Sequence, residues 1–414
     1  MKTPKSIQVF EYEVLRIGQQ GFSKEHFERL AIYQEERQSP FFSIGHNAIR
    51  FSNYVGVFQV QDLVIEVLPK AGRNNDTELW QNVLLDMLKV SGFLNVKSVS
   101  DSNLRLKNGT LLNLFFEVYL SYCRTIIAEG LVHRYSLRNF NHNVLKGRII
   151  FSDQLKHNII RKERFFTNCQ EYSINNIYNQ ILFKALRILS SVSTSSAQRR
   201  DASFILQQND GIPDIQCTQD LFLRLTYERT TERYRAALRL AELIILNYQP
   251  DLKSGRRSVF AILFPMEALF ESYVIHVLTQ AARQTSLNIL PQKRKCFWRS
   301  EIKGVKTVRP DIVIDFVGDF KKKRIILDTK WKLPKNHLPA DSDLKQMFVY
   351  NKIFNAESSN LVYPAITSSI TRKGTFMGNE HGDCSMWFIP ILNLDENKLN
   401  HKLGEILLSQ IVKS

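Results

Sequence analysis

The sequence predicts a mixed α+β protein built from three successive regions. Residues 1–77 are predicted to form a β-rich module, residues 78–255 a mainly helical region, and residues 256–414 an α/β domain. Three observations support this: apolar residues alternate with a period of two in the first region, recur at helical spacing in the second, and return to alternating helix and strand patterns in the third. A chain of 414 residues is long enough for two or three hydrophobic cores.

The β-rich module is predicted from two stretches. Residues 7–15 alternate between apolar and polar side chains, and residues 54–69 resemble two strands joined near Gln61 and Asp62. Pro69 and the polar residues that follow it end this module, because proline lacks the amide that a continuing strand would need.

The middle region is predicted to be mainly helical. Helices are expected from residue 78 onward and over residues 111–129, 175–191 and 230–247. The serine-rich stretch 190–196 has the composition of a linker, and residues 130–165 mix aromatic and basic side chains.

The last region alternates helix and strand patterns, which is typical of an α/β domain. The predicted elements are a helix over 265–284, strands over 296–299, 308–317 and 324–331 with a hairpin turn at 318–323, a helix over 341–354, strands near 361–366 and 386–392, and a closing helix over 396–413.

Charge and cysteine content limit the class of protein. The formal net charge of +16 makes nucleic acid the first candidate partner, although a basic surface can also serve solubility alone. The five cysteines are widely spaced, which argues against a structural zinc site and a disulfide framework. The first residues lack a signal peptide's apolar core, and no apolar run approaches the ~20 residues of a membrane span. We therefore expect a cytoplasmic protein that does not contact a membrane.

The most specific chemical pattern is acidic. Asp311 follows Arg309-Pro310, and Asp328 precedes Lys330 by two positions on an apolar strand. Alternate residues of a strand share a face, so Asp328 and Lys330 should project together while Thr329 turns the other way. Two carboxylates repel each other unless a cation lies between them, and oxygen ligands suit Mg²⁺ or Mn²⁺. A bound metal and a lysine are the equipment for phosphodiester hydrolysis, although a D-x-K pattern also occurs on ordinary solvated hairpins.

Two helices supply further candidates. Glu267 and Glu271 lie one turn apart on the preceding helix, and Gln346 and Tyr350 lie one turn apart on the following helix. Taken singly, these pairs are more typical of a solvated helix edge and of ordinary packing. In the order glutamate, aspartate, Asp-x-Lys, glutamine and tyrosine, they form a catalytic pattern.

This order resembles the PD-(D/E)xK nuclease superfamily and, more closely, the McrC family, the nuclease subunits of McrBC-type modification-dependent restriction systems. The resemblance extends over residues 50–355 and is carried by residues 55–70, 129–135, 145–148, 233–238 and 266–274 as well as by the acidic motif. It implies a restriction-endonuclease-like C-terminal domain.

The resemblance also implies roles for individual residues. Asp311 and Asp328 would be metal ligands, Lys330 the catalytic lysine, and Gln346 with Tyr350 a supporting pair. Glu271 would be the helix-borne acidic residue and a third metal ligand, with Glu267 as the alternative. The lysine-rich segment 321–324 is either a DNA-backbone contact or a solvated turn.

No phosphate-binding G-x-x-x-x-G-K-[ST] motif occurs, so energy for translocation must come from another chain. The resemblance implies an McrB-like AAA+ GTPase ring that recognises modified bases such as 5-methylcytosine in double-stranded DNA. The expected function is a Mg²⁺-dependent DNA endonuclease subunit that docks on the ring through residues 1–250 and stimulates its GTPase. Residues 133–148 could bind phosphates or form the ring interface, which we favour. The alternatives are a non-cleaving adaptor and a stand-alone RecB-like repair nuclease.

Overall fold

The structure, a computed structural model, describes residues 5–71, 76–93, 110–249, 259–301, 303–316, 323–334, 336, 338–366, 368–377, 382–393 and 398–413. The α-helices are α1 Lys24–Arg37, α2 Thr77–Val90, α3 Leu111–Ala128, α4 Phe151–Asn158, α5 Ile177–Val192, α6 Ser196–Gln207, α7 Gln219–Leu223, α8 Arg235–Leu246, α9 Met266–Ala282, α10 Asp341–Phe354 and α11 Leu403–Lys413.

The first strands are β1 Lys5–Phe10, β2 Val14–Arg16, β3 Phe42–Gly45, β4 Ala48–Phe51, β5 Tyr54–Val60, β6 Leu63–Leu68, β7 Arg134–His142, β8 Arg148–Ile149, β9 Phe165–Ser173, β10 Tyr248–Gln249 and β11 Val259–Pro265. The remaining strands are β12 Leu287–Pro291, β13 Lys295–Arg299, β14 Val305–Val308, β15 Ile312–Phe316, β16 Arg324–Thr329, β17 Ser358–Ala365, β18 Ile370–Thr375, β19 Asp383–Pro390, β20 Leu392–Asn393 and β21 Lys398–Leu399.

The chain divides into two compact units. Residues 1–4 and 95–262 make the first unit, and residues 5–94 together with 263–414 make the second. The division predicted at residues 77 and 255 follows composition along the chain, whereas these units follow spatial contacts, so the predicted boundaries stay a prediction.

Apolar helices form the core of the first unit. Helix α5 packs against α6 and α8, and α3 joins the same group. The Tyr119 hydroxyl of α3 donates a hydrogen bond to the Leu182 carbonyl oxygen at 2.8 Å. Helix α3 is long and apolar enough, with a mean hydropathy of 1.3, to cross a membrane on length and composition alone, but 61% of it is buried. A core helix has the same properties, so this is weak evidence for a membrane span.

The first unit also contains an antiparallel three-stranded sheet of order β7-β9-β8. The sequence predicts a mainly helical middle region and does not predict this sheet. Its strands escape detection because most of their residues are partly or fully exposed, so the sequence lacks a buried apolar face. We call residues 134–173, which hold this sheet and α4, the arm.

The second unit is organised around a mixed six-stranded sheet of order β12-β15-β16-β17-β19-β18. Strands β15 and β16 are antiparallel, whereas β16 and β17 are parallel. Helix α10 covers one face, packing Met347 on Ile326. On the other face Phe270 of α9 stacks edge-on against Trp331, with 5.2 Å between ring centroids. The centre of the sheet is therefore enclosed by helices, as the predicted α/β domain requires.

The second unit holds smaller sheets as well. Strands β1, β6 and β5 are neighbours, and β5 and β6 form the predicted hairpin, with Val60 opposite Leu63 across the turn at Gln61 and Asp62. Gln61 takes a left-handed backbone conformation with φ 57°, as this tight turn requires. Strands β2, β4 and β3 form an antiparallel sheet, and β13 and β14 form a two-stranded ribbon.

Several predicted elements are confirmed and others are corrected. Helix α10 has the predicted bounds, and α2, α3, α5 and α9 agree to within a few residues. The serine-rich stretch is not an open linker, because Ser193 is buried and Ser195 caps α6. The closing helix begins at Leu403 rather than at residue 396. Helix α1 was not predicted, and the turn at 318–323 lies almost wholly outside the described residues.

Candidate active site

The two aspartates lie at the same end of neighbouring strands. Ile312 pairs with Leu327 in the antiparallel register of β15 and β16, so the next position along each strand is Asp311 opposite Asp328. Asp328 is buried, with an exposed fraction of 2%, whereas Asp311 is half-buried. The structure thus brings together the two carboxylates that the sequence predicted to meet.

Lys330 lies beside Asp328, as the strand alternation predicts. Its Nζ is 2.6 Å from Oδ2 of Asp328 and donates a hydrogen bond to Oε1 of Gln346 at 3.2 Å. The contact with Oδ2 is an ion pair between the ammonium and a buried carboxylate oxygen. Lys330 is therefore fixed between a carboxylate and an amide oxygen.

The predicted pair on α10 completes this arrangement. Nε2 of Gln346 donates a hydrogen bond to the Tyr350 hydroxyl at 2.7 Å and a long one, 3.5 Å, to Oδ1 of Asp328. The Tyr350 hydroxyl donates in turn to the carbonyl oxygen of Arg309 at 3.1 Å. The chain of contacts ties α10 to the segment that precedes Asp311.

Thr329 corrects one expectation. Its backbone N–H and its hydroxyl both donate to Oδ2 of Asp311, each at 2.7 Å, so Thr329 serves the site instead of turning away from it. Asp311 lies before the first residue of β15, and its side chain therefore does not follow the strand alternation. Thr329 is the site residue that sequence reasoning missed, and the D-x-K spacing alone carried no signal for it.

The structure also separates the two glutamates of α9. Glu271 is in electrostatic contact with Asp311 and Lys330, and its Oε1 accepts a hydrogen bond from Gln292 at 2.9 Å. Glu267 instead accepts a hydrogen bond from Nδ2 of Asn53 at 2.8 Å. Of the two glutamates, Glu271 is thus the one that interacts electrostatically with Asp311 and Lys330.

Burial and mutual repulsion shape the electrostatics. Burial, together with the charge of Asp311, raises the pKa of Asp328 to about 7, even though Lys330 opposes the shift. Burial and the charge of Asp311 also raise the pKa of Glu271. Burial disfavours the ammonium of Lys330, but Asp328 outweighs it and raises the pKa of that lysine. The site therefore holds a firmly protonated lysine among carboxylates that repel one another.

These carboxylates are suitable ligands for a divalent cation. Within the described parts of the chain, no group of three or more His, Cys, Asp or Glu side chains gathers closely enough to hold a metal. Magnesium commonly uses only one or two carboxylates and keeps its remaining ligands as water or substrate oxygen. Asp311 and Asp328 satisfy that requirement, with Glu271 nearby.

Two other stretches that carried the family resemblance meet in the first unit. Arg233 forms an ion pair with Glu129, with 3.0 Å between Nη1 and Oε2. The Tyr234 hydroxyl accepts a hydrogen bond from the backbone N–H of Val132 at 2.9 Å and donates one to Asn179 at 2.8 Å. These residues support the base of the arm, because β7 begins two residues after Val132.

Comparison with known proteins matches the chain to the family described as McrBC 5-methylcytosine restriction system component, over residues 49–364. The chain belongs to this family. The predicted resemblance to McrC over residues 50–355 is thereby confirmed. No curated protein sequence matches this McrBC component significantly.

Two solved structures share the fold of this McrBC component. The first is a half-complex from the tetradecameric assembly of Thermococcus gammatolerans McrB AAA+ hexamers with bound McrC. It is 18% identical with a TM-score of 0.68, and the alignment covers 98% of this chain and 100% of that one. The second, the Thermococcus gammatolerans McrBC complex, is 19% identical with a TM-score of 0.52 and covers 68% and 89%.

Proposed function

We propose that this McrBC component is a Mg²⁺-dependent DNA endonuclease subunit with a PD-(D/E)xK active site. The observation that carries the proposal is the cluster of Asp311, Asp328 and Lys330 at one end of β15 and β16, with Lys330 Nζ 2.6 Å from Asp328. Family membership favours the same function, because the family consists of components of a restriction system.

The residues of the candidate active site are proposed to have separate roles in phosphodiester hydrolysis. Asp311 and Asp328, with Glu271 close to them, would hold Mg²⁺ or Mn²⁺, which supplies Lewis-acid activation of the phosphate and of a bound water. Asp311 keeps one oxygen available, because its described hydrogen bonds both go to Oδ2.

Lys330 supplies a fixed positive charge. Its pKa is raised by Asp328, so it stays an ammonium that can orient the attacking water and stabilise the charge that develops on the phosphoryl oxygens. Gln346 accepts a hydrogen bond from this ammonium and in turn donates to Tyr350. The pair is thus proposed to position Lys330.

The partner is proposed to be an McrB-like AAA+ GTPase ring acting on double-stranded DNA with modified bases. Two matched structures contain McrB together with McrC, and the sequence has no phosphate-binding loop of its own. The ring would recognise the modified base and translocate, and this subunit would stimulate the GTPase and cut.

The arm is the surface we propose for ring docking. It exposes large apolar side chains, each with more than half of its surface accessible: Tyr135, Leu137, Val144, Leu145, Phe151, Leu155, Ile159, Ile160 and Tyr172. Exposed apolar patches of this kind commonly mark protein interfaces. Basic residues such as Arg138 and Lys146 lie among them, so a secondary contact with phosphates is compatible with this assignment.

The test is cleavage by the reconstituted complex. Asp328→Ala and Lys330→Ala should abolish Mg²⁺-dependent cutting of modified DNA, while binding to the GTPase and stimulation of its activity persist. Cutting by both variants at the wild-type rate would refute the site assignment. If the wild type shows no dependence on divalent ions in any DNA assay, the non-cleaving adaptor is the better description. Efficient cutting by the isolated chain would favour the stand-alone nuclease.

A further inference from the structure

Strands β13 and β14 form a ribbon, described over residues 295–301 and 303–308, that extends from the rim of the candidate active site. Lys295 pairs with Val308, Trp298 with Lys306, and Arg299 with Val305, with a bulge between Cys296 and Trp298. The turn is closed by a hydrogen bond from the Ser300 amide to the Gly304 carbonyl oxygen at 2.9 Å.

Both ends of the ribbon are bonded to residues of the site. Before it, the Gln292 side chain donates to Glu271, and the Gln292 amide donates to the Asp311 carbonyl oxygen at 2.8 Å. After it, the Arg309 carbonyl oxygen accepts the hydrogen bond from Tyr350. The ribbon is therefore connected at both ends to residues that surround the carboxylates.

The base of the ribbon is also anchored to α10. Nζ of Lys295 donates a hydrogen bond to the Ile353 carbonyl oxygen at 2.6 Å and lies 5.7 Å from the ring centroid of Phe354. Beyond this anchor, the described residues of both strands are exposed apart from half-buried Val308. Two strands alone are only marginally stable. A ribbon that is exposed on both faces is therefore expected to be stabilised by contact with another molecule.

The charge of the ribbon indicates which kind of molecule it contacts. Between residues 293 and 309 the sequence has seven basic residues and one acidic residue, Glu301: the basic ones are Lys293, Arg294, Lys295, Arg299, Lys303, Lys306 and Arg309. Arg299, Lys303 and Lys306 are exposed and have no ion-pair partner among the described residues. A dense set of uncompensated cations fits the phosphate backbone of a nucleic acid.

Shape and aromatic content point the same way. The major groove of DNA is about 12 Å wide and admits a two-stranded β-ribbon. Trp298 and Phe297 are 52% and 48% exposed, and Trp298 lies opposite Lys306 in the register. An exposed aromatic next to a cation can contact bases or sugars while the cation contacts phosphate.

We propose that the ribbon is a DNA-binding element that grips the duplex beside the active site and positions the phosphodiester to be cut. This inference extends the proposed function and rests on it, because positioning a phosphodiester matters only if the adjacent site cuts DNA. DNA is favoured over a protein partner, because a protein would have to present a matching acidic groove to so many cations.

The first test measures binding without cleavage. The full-length chain with Ca²⁺ in place of Mg²⁺ is titrated onto a short fluorescein-labelled DNA duplex, and anisotropy is followed. The double variant Arg299→Glu, Lys306→Glu should weaken binding by about tenfold or more, and the slope of log K against log salt should fall by about 2. The matched control is Arg372→Glu, Lys373→Glu, which makes the same charge change on exposed β18 at the opposite edge of the six-stranded sheet.

Equal losses in the ribbon variant and the control would show a general charge effect and overturn the proposal. Wild-type DNA binding by the ribbon variant, combined with loss of binding to the GTPase ring, would overturn it in favour of a protein interface.

The second test uses the ribbon's own tryptophan. Of the four tryptophans, Trp80, Trp331 and Trp387 are buried, and only Trp298 is half-exposed. Saturating duplex should therefore protect a large fraction of the fluorescence from acrylamide quenching, and Trp298→Phe should remove that protected fraction. Unchanged quenching of the wild type when anisotropy shows bound DNA would contradict the proposal.

The two proposals fail in different ways. Asp328→Asn should not cut the duplex in the reconstituted complex, whereas the ribbon variant keeps every residue of the candidate active site. If the ribbon variant loses binding but Asp328→Asn still cuts, the active-site assignment is wrong and the DNA-binding ribbon stands. If the ribbon variant binds normally, the ribbon proposal is wrong whatever the outcome for Asp328.

Discussion

The candidate active site and the arm differ in the kind of side chain that is placed unfavourably. The candidate active site buries charged groups, whereas the arm exposes apolar ones. In the second unit, charged groups are buried, and each is matched by a partner within the same chain, as Asp328 is by Lys330. In the first unit, apolar groups such as Phe151 and Ile160 are exposed, with exposed fractions of 74% and 89%. A buried charge must be compensated inside the protein, whereas an exposed apolar surface is compensated by another molecule. The contrast is the one expected between the site proposed for catalysis and the surface proposed for assembly.

The largest expected effect is on the cleavage rate and concerns the buried carboxylate of Asp328. Asp328→Asn should lower the cleavage rate by at least about a thousandfold, because it removes a proposed metal ligand and the counter-ion of Lys330. The fold should be retained, because the ammonium of Lys330 keeps its hydrogen bond to Gln346 and the nearby charges of Asp343 and Asp311.

The matched control for this variant is Asp315→Asn on the adjacent strand. Asp315 forms a two-point ion pair with Arg324, at 2.6 and 2.8 Å, so its loss should reduce the free energy of unfolding and leave cleavage active. The same pairing occupies Arg324, and the choice between a DNA-backbone contact and a solvated turn for segment 321–324, of which 321 and 322 lie outside the described residues, stays a prediction. Cleavage rates and urea denaturation of both variants decide the point, and equal behaviour in the two assays would contradict the distinction.

A second buried carboxylate, that of Glu11, predicts how the stability of the protein depends on pH. Glu11 accepts hydrogen bonds from the indole N–H of Trp331 at 2.6 Å and from the amide of Lys70 at 2.8 Å. Burial nonetheless raises its pKa to about 7. The folded state therefore holds this proton more tightly than the unfolded state, so stability should decline as pH rises from about 4.5 and level off above about 7, by about 3 kcal/mol in all.

Glu11→Gln should remove the part of that decline that Glu11 causes, and the part caused by Asp328, whose pKa burial also raises to about 7, should remain. Urea denaturation across this pH range measures it, with Glu405→Gln, an exposed carboxylate on α11, as the control. A variant whose unfolding free energy still falls with pH like that of the wild type would show that another group is responsible.

The exposed side of the comparison predicts a change in assembly alone. Phe151→Ser with Ile160→Ser should weaken association with the GTPase ring by about thirtyfold, because buried apolar anchors dominate interface energies. The free energy of unfolding should change by less than about 0.5 kcal/mol. The control is Phe204→Ser, an exposed phenylalanine of α6 outside the arm. Calorimetric titration compares the variants, and equal affinities would place the ring contact elsewhere.

The smallest expected effect concerns how the arm is held together. Gly147 has φ 84°, and an added Cβ would overlap the Asn168 carbonyl oxygen and Cβ of Cys169 on β9. Gly147→Ala should therefore loosen the sheet locally, by about 1 kcal/mol or more. Hydrogen exchange should show faster exchange confined to residues 134–173, and unchanged protection there would contradict this explanation.

The sequence allowed some parts of this structure to be predicted because their physics is local. Asp328 and Lys330 share a strand face through simple alternation, and Gln346 and Tyr350 share a helix face through the helical repeat. The position of Thr329 was not predictable, because it depends on Asp311 lying just before its strand begins. The arm was missed since its strands lack a buried face, and the union of residues 5–94 with 263–414 depends on contacts between distant parts of the chain.

The hydrogen bond between Trp331 and Glu11 joins residues 320 positions apart within the second unit. During synthesis on the ribosome, residues 5–94 leave the exit tunnel long before the strands that complete their unit. Residues 95–262 are a compact unit by themselves and can fold in that interval. Strand β16, which carries Asp328, emerges late, so the proposed catalytic centre would form only after the surface proposed to recruit the GTPase is already in place.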